Sequence, residues 1–177
     1  MVGEQIRQVS RRRFVRVCGW IIFALGLIGV AVFGFSAANT NTMVRAIEKV
    51  ERKQLEDRGM IVADEEEFAA KLEKMRVGWG RTNAIMATVG GAMAVCGFFL
   101  GLFRATLPMS FALLSIYVIS TVIILIEVAP DINPVAFLWR FGMIYLFSHI
   151  LYVVIAFQRQ ERKLLAEAEQ ASAYAAY

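Results

Sequence analysis

Four long apolar blocks dominate the chain, at residues 14–37, 78–103, 107–128 and 135–157. None alternates with the period of a strand or of an amphipathic helix; each is apolar almost throughout. At about 1.5 Å of rise per residue, each is long enough to cross a hydrocarbon core of roughly 30 Å. The connector Ala129-Pro130-Asp131-Ile132-Asn133-Pro134 allows only a tight reversal, so the last two blocks are expected antiparallel and side by side. The predicted fold class is an all-α integral membrane protein, with four transmembrane helices in an up-down bundle. An extramembrane helical hairpin at residues 38–77 lies between the first and second spans. A basic tail (1–13) precedes the bundle and a helical tail (158–177) follows it.

The hairpin is the only sizeable stretch outside the apolar blocks, and it is densely charged. Its first arm is expected from about Thr42 to Arg58, with Glu48 four residues before Arg52 and Gly59 as the breaker. The second opens on Asp64-Glu65-Glu66-Glu67, an Asp-x-x-Glu capping pattern. Phe68, Leu72 and Met75 then form an apolar stripe that Met43, Ile47 and Val50 of the first arm are expected to cover. The acidic run lacks the alternating Asp/Asn–Gly pattern of a calcium loop, so capping explains it without a metal.

Composition agrees with this pattern. Hydrophobic residues make up 58% of the 177, above the usual half of soluble domains, and the excess sits in the four blocks. The first block is too long for a cleaved signal and shows no small-residue cleavage site, so it is expected to remain as an anchor. The net charge of +4 comes from arginines and lysines flanking the spans. The inner-leaflet surface and the positive-inside rule account for them, and nucleic acid is not an expected partner. Arg7, Arg11, Arg12, Arg13 and Arg16 of the N-terminal tail are expected to meet anionic lipid headgroups. With Arg104, Arg159, Arg162 and Lys163 they place both termini on the cytoplasmic-equivalent side. A bacterial inner membrane is the expected compartment, with an organellar inner membrane or a thylakoid as the alternative.

Small residues recur along the first two spans. Gly26, Gly29, Gly90, Gly97 and Gly101 are the candidate packing positions, and Gly97 and Gly101 form a Gly-x-x-x-Gly. The two cysteines, Cys18 and Cys96, lack any metal-ligand or redox-motif spacing and read as filler.

An ionisable group in a bilayer costs roughly 2.5–3.5 kcal/mol on insertion scales, so each one needs a reason. Glu127 and Arg140 flank the short connector and are expected to form an interhelical ion pair; a gate or separate snorkelling is the competing explanation. His149 is the only histidine, which excludes a bis-histidine haem or a multi-histidine metal site within one chain. Gly142, Tyr145, His149 and Tyr152 fall on one helical stripe. An interhelical hydrogen bond is the simplest role for His149. The stripe is also the one candidate for a cofactor: a pigment or haem held by a single histidine, or a quinone held with Tyr145 and Tyr152.

No nucleophile–base motif, phosphate loop, zinc signature or paired catalytic carboxylate occurs in the chain, and catalysis is not expected. The leading expectation is a non-catalytic accessory or scaffold subunit of a larger membrane complex. It would pack against other membrane subunits through its small-residue helix faces and charged hairpin. The alternatives are a small homo-oligomeric channel or transporter and a cofactor-carrying subunit using His149.

Overall fold

A computed structural model of the chain describes residues 2–59, 65–128 and 134–175. The described residues form five helices: α1 (Val2–Ala38), α2 (Thr40–Asp57), α3 (Glu65–Gly101), α4 (Thr106–Val128) and α5 (Pro134–Ala175). No strand occurs among them. Of these helices, α1, α3, α4 and α5 are long and apolar enough to cross a membrane. Asp64 and most of the connector 129–134 lie outside the described residues.

The helices outrun the apolar blocks. The charged stretch that opens α3 and its apolar stretch are one unbroken helix, and α5 runs on to Ala175. These extensions are rich in Glu, Lys, Arg, Leu and Ala, which lose little rotamer freedom in a helix and do not stop one. Only Asn39 separates α1 from α2. Its backbone and side-chain N–H groups donate to the Phe35 carbonyl at 3.0 and 2.9 Å. The Thr40 hydroxyl donates to the Ser36 and Ala37 carbonyls at 3.0 Å. Three carbonyls of the last turn of α1 are thereby satisfied across the junction. At the far end of α2, Gly59 adopts φ +68°, the left-handed region that a residue without Cβ enters at no steric cost.

The chain divides into two compact units, Met1–Gly26 with Ala92–Tyr177, and Leu27–Gly91. In the first unit α1 meets α3 with no side chain between the backbones. A Cβ on Gly19 would collide with the Gly101 amide nitrogen, and one on Gly97 with that of Phe23. At Gly101 the added atom would lie 2.9 Å from the Trp20 indole. Beside this contact α3 ends in a Schellman motif: Phe103 donates to the Leu100 carbonyl and Arg104 to that of Phe99, both at 2.9 Å. The left-handed position of that motif usually takes glycine, yet here it is Phe103, at φ +56°. Its ring sits edge-on to Phe157, with centroids 5.3 Å apart, and beneath the Arg12 guanidinium at 4.9 Å. Those contacts offset the backbone cost of roughly 1–2 kcal/mol. The Arg16 Nε donates to the Gly101 carbonyl at 3.3 Å, a group the helix leaves without a partner.

In the second unit a Cβ on Gly29 would lie 3.5 Å from the Gly90 Cα, so these backbones also approach closely. The contacts of α2 with α3 are mostly ionic. Arg52 forms a two-pronged pair with Glu65, both bonds at 2.9 Å, while its Nε reaches Glu48 at 3.1 Å. Lys71 pairs with Glu51 at 3.3 Å, and Arg76 donates to Asn41 at 3.4 Å. Beneath them Val44 and Leu72 are buried. The expected apolar contribution of Val50 is not met, since Val50 is 55% exposed whereas Val44 is buried. Val44 and Val50 lie six residues apart, some 240° around a helix, so they cannot share a face. The Arg52 guanidinium also covers the Phe68 ring at 5.0 Å.

Two outcomes are expected. Gly97→Ala should destabilise the purified protein by about 1–3 kcal/mol, the usual range for overpacking, whereas Gly34→Ala meets nothing within 4 Å and should be neutral; thermal unfolding in detergent checks both. The hydrogen bond from Arg52 holds the Glu65 carboxyl below its ordinary 4.5, and Arg76 does the same for Glu73. A carboxyl lowered by folding contributes stability above its unfolded value and loses it as pH falls through the lower folded value. Hydrogen exchange along α2 should therefore quicken below about pH 4.5 relative to the intrinsic rate, and high salt should produce part of the same loosening at pH 7.

Candidate functional site

The candidate site side chains of the spans lie on α5 and α4. Along α5, Gly142, Tyr145, His149 and Tyr152 share one face, because steps of three and four residues nearly close a helical turn. That face is largely uncovered within its unit. Tyr145 is 75% exposed and Tyr152 68%, His149 is exposed, and a Cβ on Gly142 would meet nothing within 4 Å. The His149 ring lies between the two tyrosines, stacked on Tyr145 at 6.5 Å between centroids and tilted to Tyr152 at 6.4 Å. Phe14 of α1 meets it edge-on at 5.8 Å. Among the described residues no hydrogen bond reaches the imidazole. His149 lies ten residues before Arg159, roughly 15 Å along the helix, well inside the apolar stretch.

The opposite side of α5 is packed, with Phe147, Ile150 and Val154 almost wholly buried. Phe147 meets Tyr117 of α4 edge-on, with centroids 5.1 Å apart. One turn further along α4 is the hydroxyl of Thr121, which donates to the Tyr117 carbonyl at 2.8 Å. That hydroxyl also accepts a 3.2 Å hydrogen bond from Arg140, whose guanidinium stands 6.0 Å from the Tyr117 ring centroid. Ser120 likewise returns its hydroxyl proton to the Tyr117 carbonyl, at 2.9 Å. A hydroxyl and a π-face are thus among the partners of the guanidinium. The Glu127 side chain, expected opposite Arg140, lies outside the described residues.

The structure therefore brings Tyr145, His149 and Tyr152 together and joins Arg140 to α4. Of the candidate packing glycines, Gly97 and Gly101 face α1 and Gly29 faces Gly90, while Gly26 is buried. Those faces are occupied within the chain. Among the described residues no group of three or more metal-ligating side chains comes together.

No protein-family description, curated protein or solved structure matches this chain. The site is read from its own geometry.

Sequence reasoning missed three members of these contacts. Thr121 as the acceptor for Arg140 was available from depth: the two lie ten and nine residues from Asp131, the middle of the reversal. Residues equally far from a tight reversal face each other in antiparallel helices. Phe14 against His149, and Arg16 against the Gly101 carbonyl, carried no signal, because they depend on how α1 is rotated about its own axis.

Proposed function

We propose that the protein is a non-catalytic subunit of a larger membrane complex and docks against another membrane subunit through the Tyr145–His149–Tyr152 face of α5. The observation that carries this reading is the exposure of an imidazole and two phenols at the depth of the apolar stretch. Lipid tails offer no hydrogen-bond partner, so polar groups facing them carry a desolvation cost that a neighbouring helix removes. Gly142 adds to the argument: with no side chain and nothing beside it, it leaves room for a second backbone to approach the stripe. Gly19, Gly97 and Gly101, by contrast, are taken up by the α1–α3 contact.

The fold proposed for this role is an up-down bundle of four spans, with α2 and the start of α3 as a charged helical hairpin. Supporting it, contacts pair residues in opposite chain order for α1 with α3 (Gly19 with Gly101, Phe23 with Gly97), α2 with α3 (Asn41 with Arg76, Arg52 with Glu65) and α4 with α5 (Tyr117 with Phe147, Thr121 with Arg140). We place both termini on the cytoplasmic-equivalent side of a bacterial inner membrane, following the basic residues at 11–16, 104 and 159–163.

A second reading rests on the same face. An exposed imidazole flanked by aromatic rings also suits one axial bond to a pigment or haem shared with a partner, or a hydrogen bond to a quinone. Native mass spectrometry of the tagged chain, extracted from its own membrane in mild detergent, separates the two. The expected result is a defined heteromer whose partner is lost in His149→Ala or in Tyr145→Phe/Tyr152→Phe, with helix content unchanged. A coloured or quinone-bearing species without a protein partner would select the second reading. A partner-free monomer lacking any small molecule would overturn both.

A further inference from the structure

One end of the first unit gathers basic side chains from three separate stretches of sequence. Arg12, Arg13 and Arg16 come from α1, Arg104 from the turn between α3 and α4, and Arg159 from α5; all five are exposed. Packed neighbours hold the three stretches at a common level. Arg11 donates to Gln160 at 3.0 Å, Arg16 to the Gly101 carbonyl at 3.3 Å, and Arg12 stacks on Phe103, which itself meets Phe157. Arg104 and Arg159 are each within two residues of that aromatic pair.

The charge there is predominantly basic, with Glu161 the nearest acid in sequence. Residues 8–20, 98–110 and 150–160 contain no acidic residue. Among the described residues the partners of Arg11, Arg12 and Arg16 are an amide, a ring and a carbonyl, and no carboxylate pairs with any of the five exposed arginines. Immediately beyond the arginines the surface turns apolar, with Val17, Trp20, Phe98 and Leu102 each at least 40% exposed. Guanidinium groups bordering an exposed apolar wall match a phosphodiester bordering its acyl chains. Planar forks suit phosphate oxygens, and the wall suits the first methylenes of the tails.

We propose that Arg12, Arg13, Arg16, Arg104 and Arg159 form one binding site for an anionic phospholipid, phosphate against the arginines and acyl chains along Val17, Trp20 and Leu102. The Schellman turn has a part in this. By holding Phe103 in the left-handed region it fixes the Arg104 backbone directly after the ring that Arg12 and Phe157 touch. The inference rests on the membrane placement alone and is independent of the docking face on α5.

The test uses the full chain in detergent, titrated with phosphatidylglycerol or phosphatidylcholine, with bound lipid counted by native mass spectrometry. Phosphatidylglycerol should bind at least about tenfold more tightly, and added salt should weaken it. Each arginine at the surface accounts for about a fivefold effect, so Arg12→Ala/Arg104→Ala/Arg159→Ala should weaken phosphatidylglycerol roughly a hundredfold and phosphatidylcholine, whose choline offsets its phosphate, far less. Arg45→Ala/Lys49→Ala/Lys53→Ala removes the same charge from α2 and should leave both affinities unchanged. Should the first triple variant fail to fold, Arg104→Ala alone should show the fivefold loss. Equal affinity for the two lipids, or equal losses in the two triple variants, would overturn the proposal, as would full displacement of phosphatidylglycerol by an equal concentration of inorganic phosphate.

Discussion

Hydrocarbon supplies neither a donor nor an acceptor, and it offers no hydrophobic drive to bring one apolar helix against another. Both halves of that constraint are visible in this chain. Backbone groups at the ends and junctions of the apolar helices are met from within: Asn39 and Thr40 serve the end of α1, the Schellman turn and Arg16 serve the end of α3. Helix association, for its part, falls to van der Waals contact. At Gly19, Gly97 and Gly101 the backbones of α1 and α3 come so near that a single methyl group would separate them. Dispersion acts over fractions of an ångström, so a contact of this kind is strong only where the side chains are missing.

The same constraint sorts the charges. Acids and bases that pair as Arg52–Glu65, Arg52–Glu48 and Lys71–Glu51 lie on α2 and the polar start of α3, where each pair is partly exposed and salt can screen it. Within the apolar stretches Arg140 of α5 reaches the Thr121 hydroxyl and the Tyr117 face of α4. These contacts hold α5 in one rotation against α4. That rotation turns Phe147 and Ile150 inward and Tyr145, His149 and Tyr152 outward.

Much of the architecture was legible from the pattern of residues. Uninterrupted apolar runs announce spans, and Gly59 and the acid-rich opening of α3 announce helix ends. Rotation about the helix axis is what the pattern withheld. In a span apolar on all sides no stripe identifies the inward face, which is why Phe14 and Arg16 found partners that spacing does not reveal. On the charged helix α2 the same limit holds on a smaller scale: Val44 is buried and Val50 is not. Helix length was also underestimated, since nothing in the Glu-, Lys- and Ala-rich flanks stops a helix leaving the hydrocarbon. The Tyr145–His149–Tyr152 stripe was readable as a stripe; its outward direction was not.

Everything above depends on the apolar helices crossing a bilayer in alternation, and site-directed cysteine labelling measures that directly. In a Cys18→Ala/Cys96→Ala background, single cysteines at Ser10, Gln54 and Ala166 would be challenged with a membrane-impermeant maleimide in sealed vesicles of known orientation. Ser10 and Ala166 are expected to react from one side of the membrane and Gln54 only from the other. Reaction of all three from the same side would contradict the four-span arrangement.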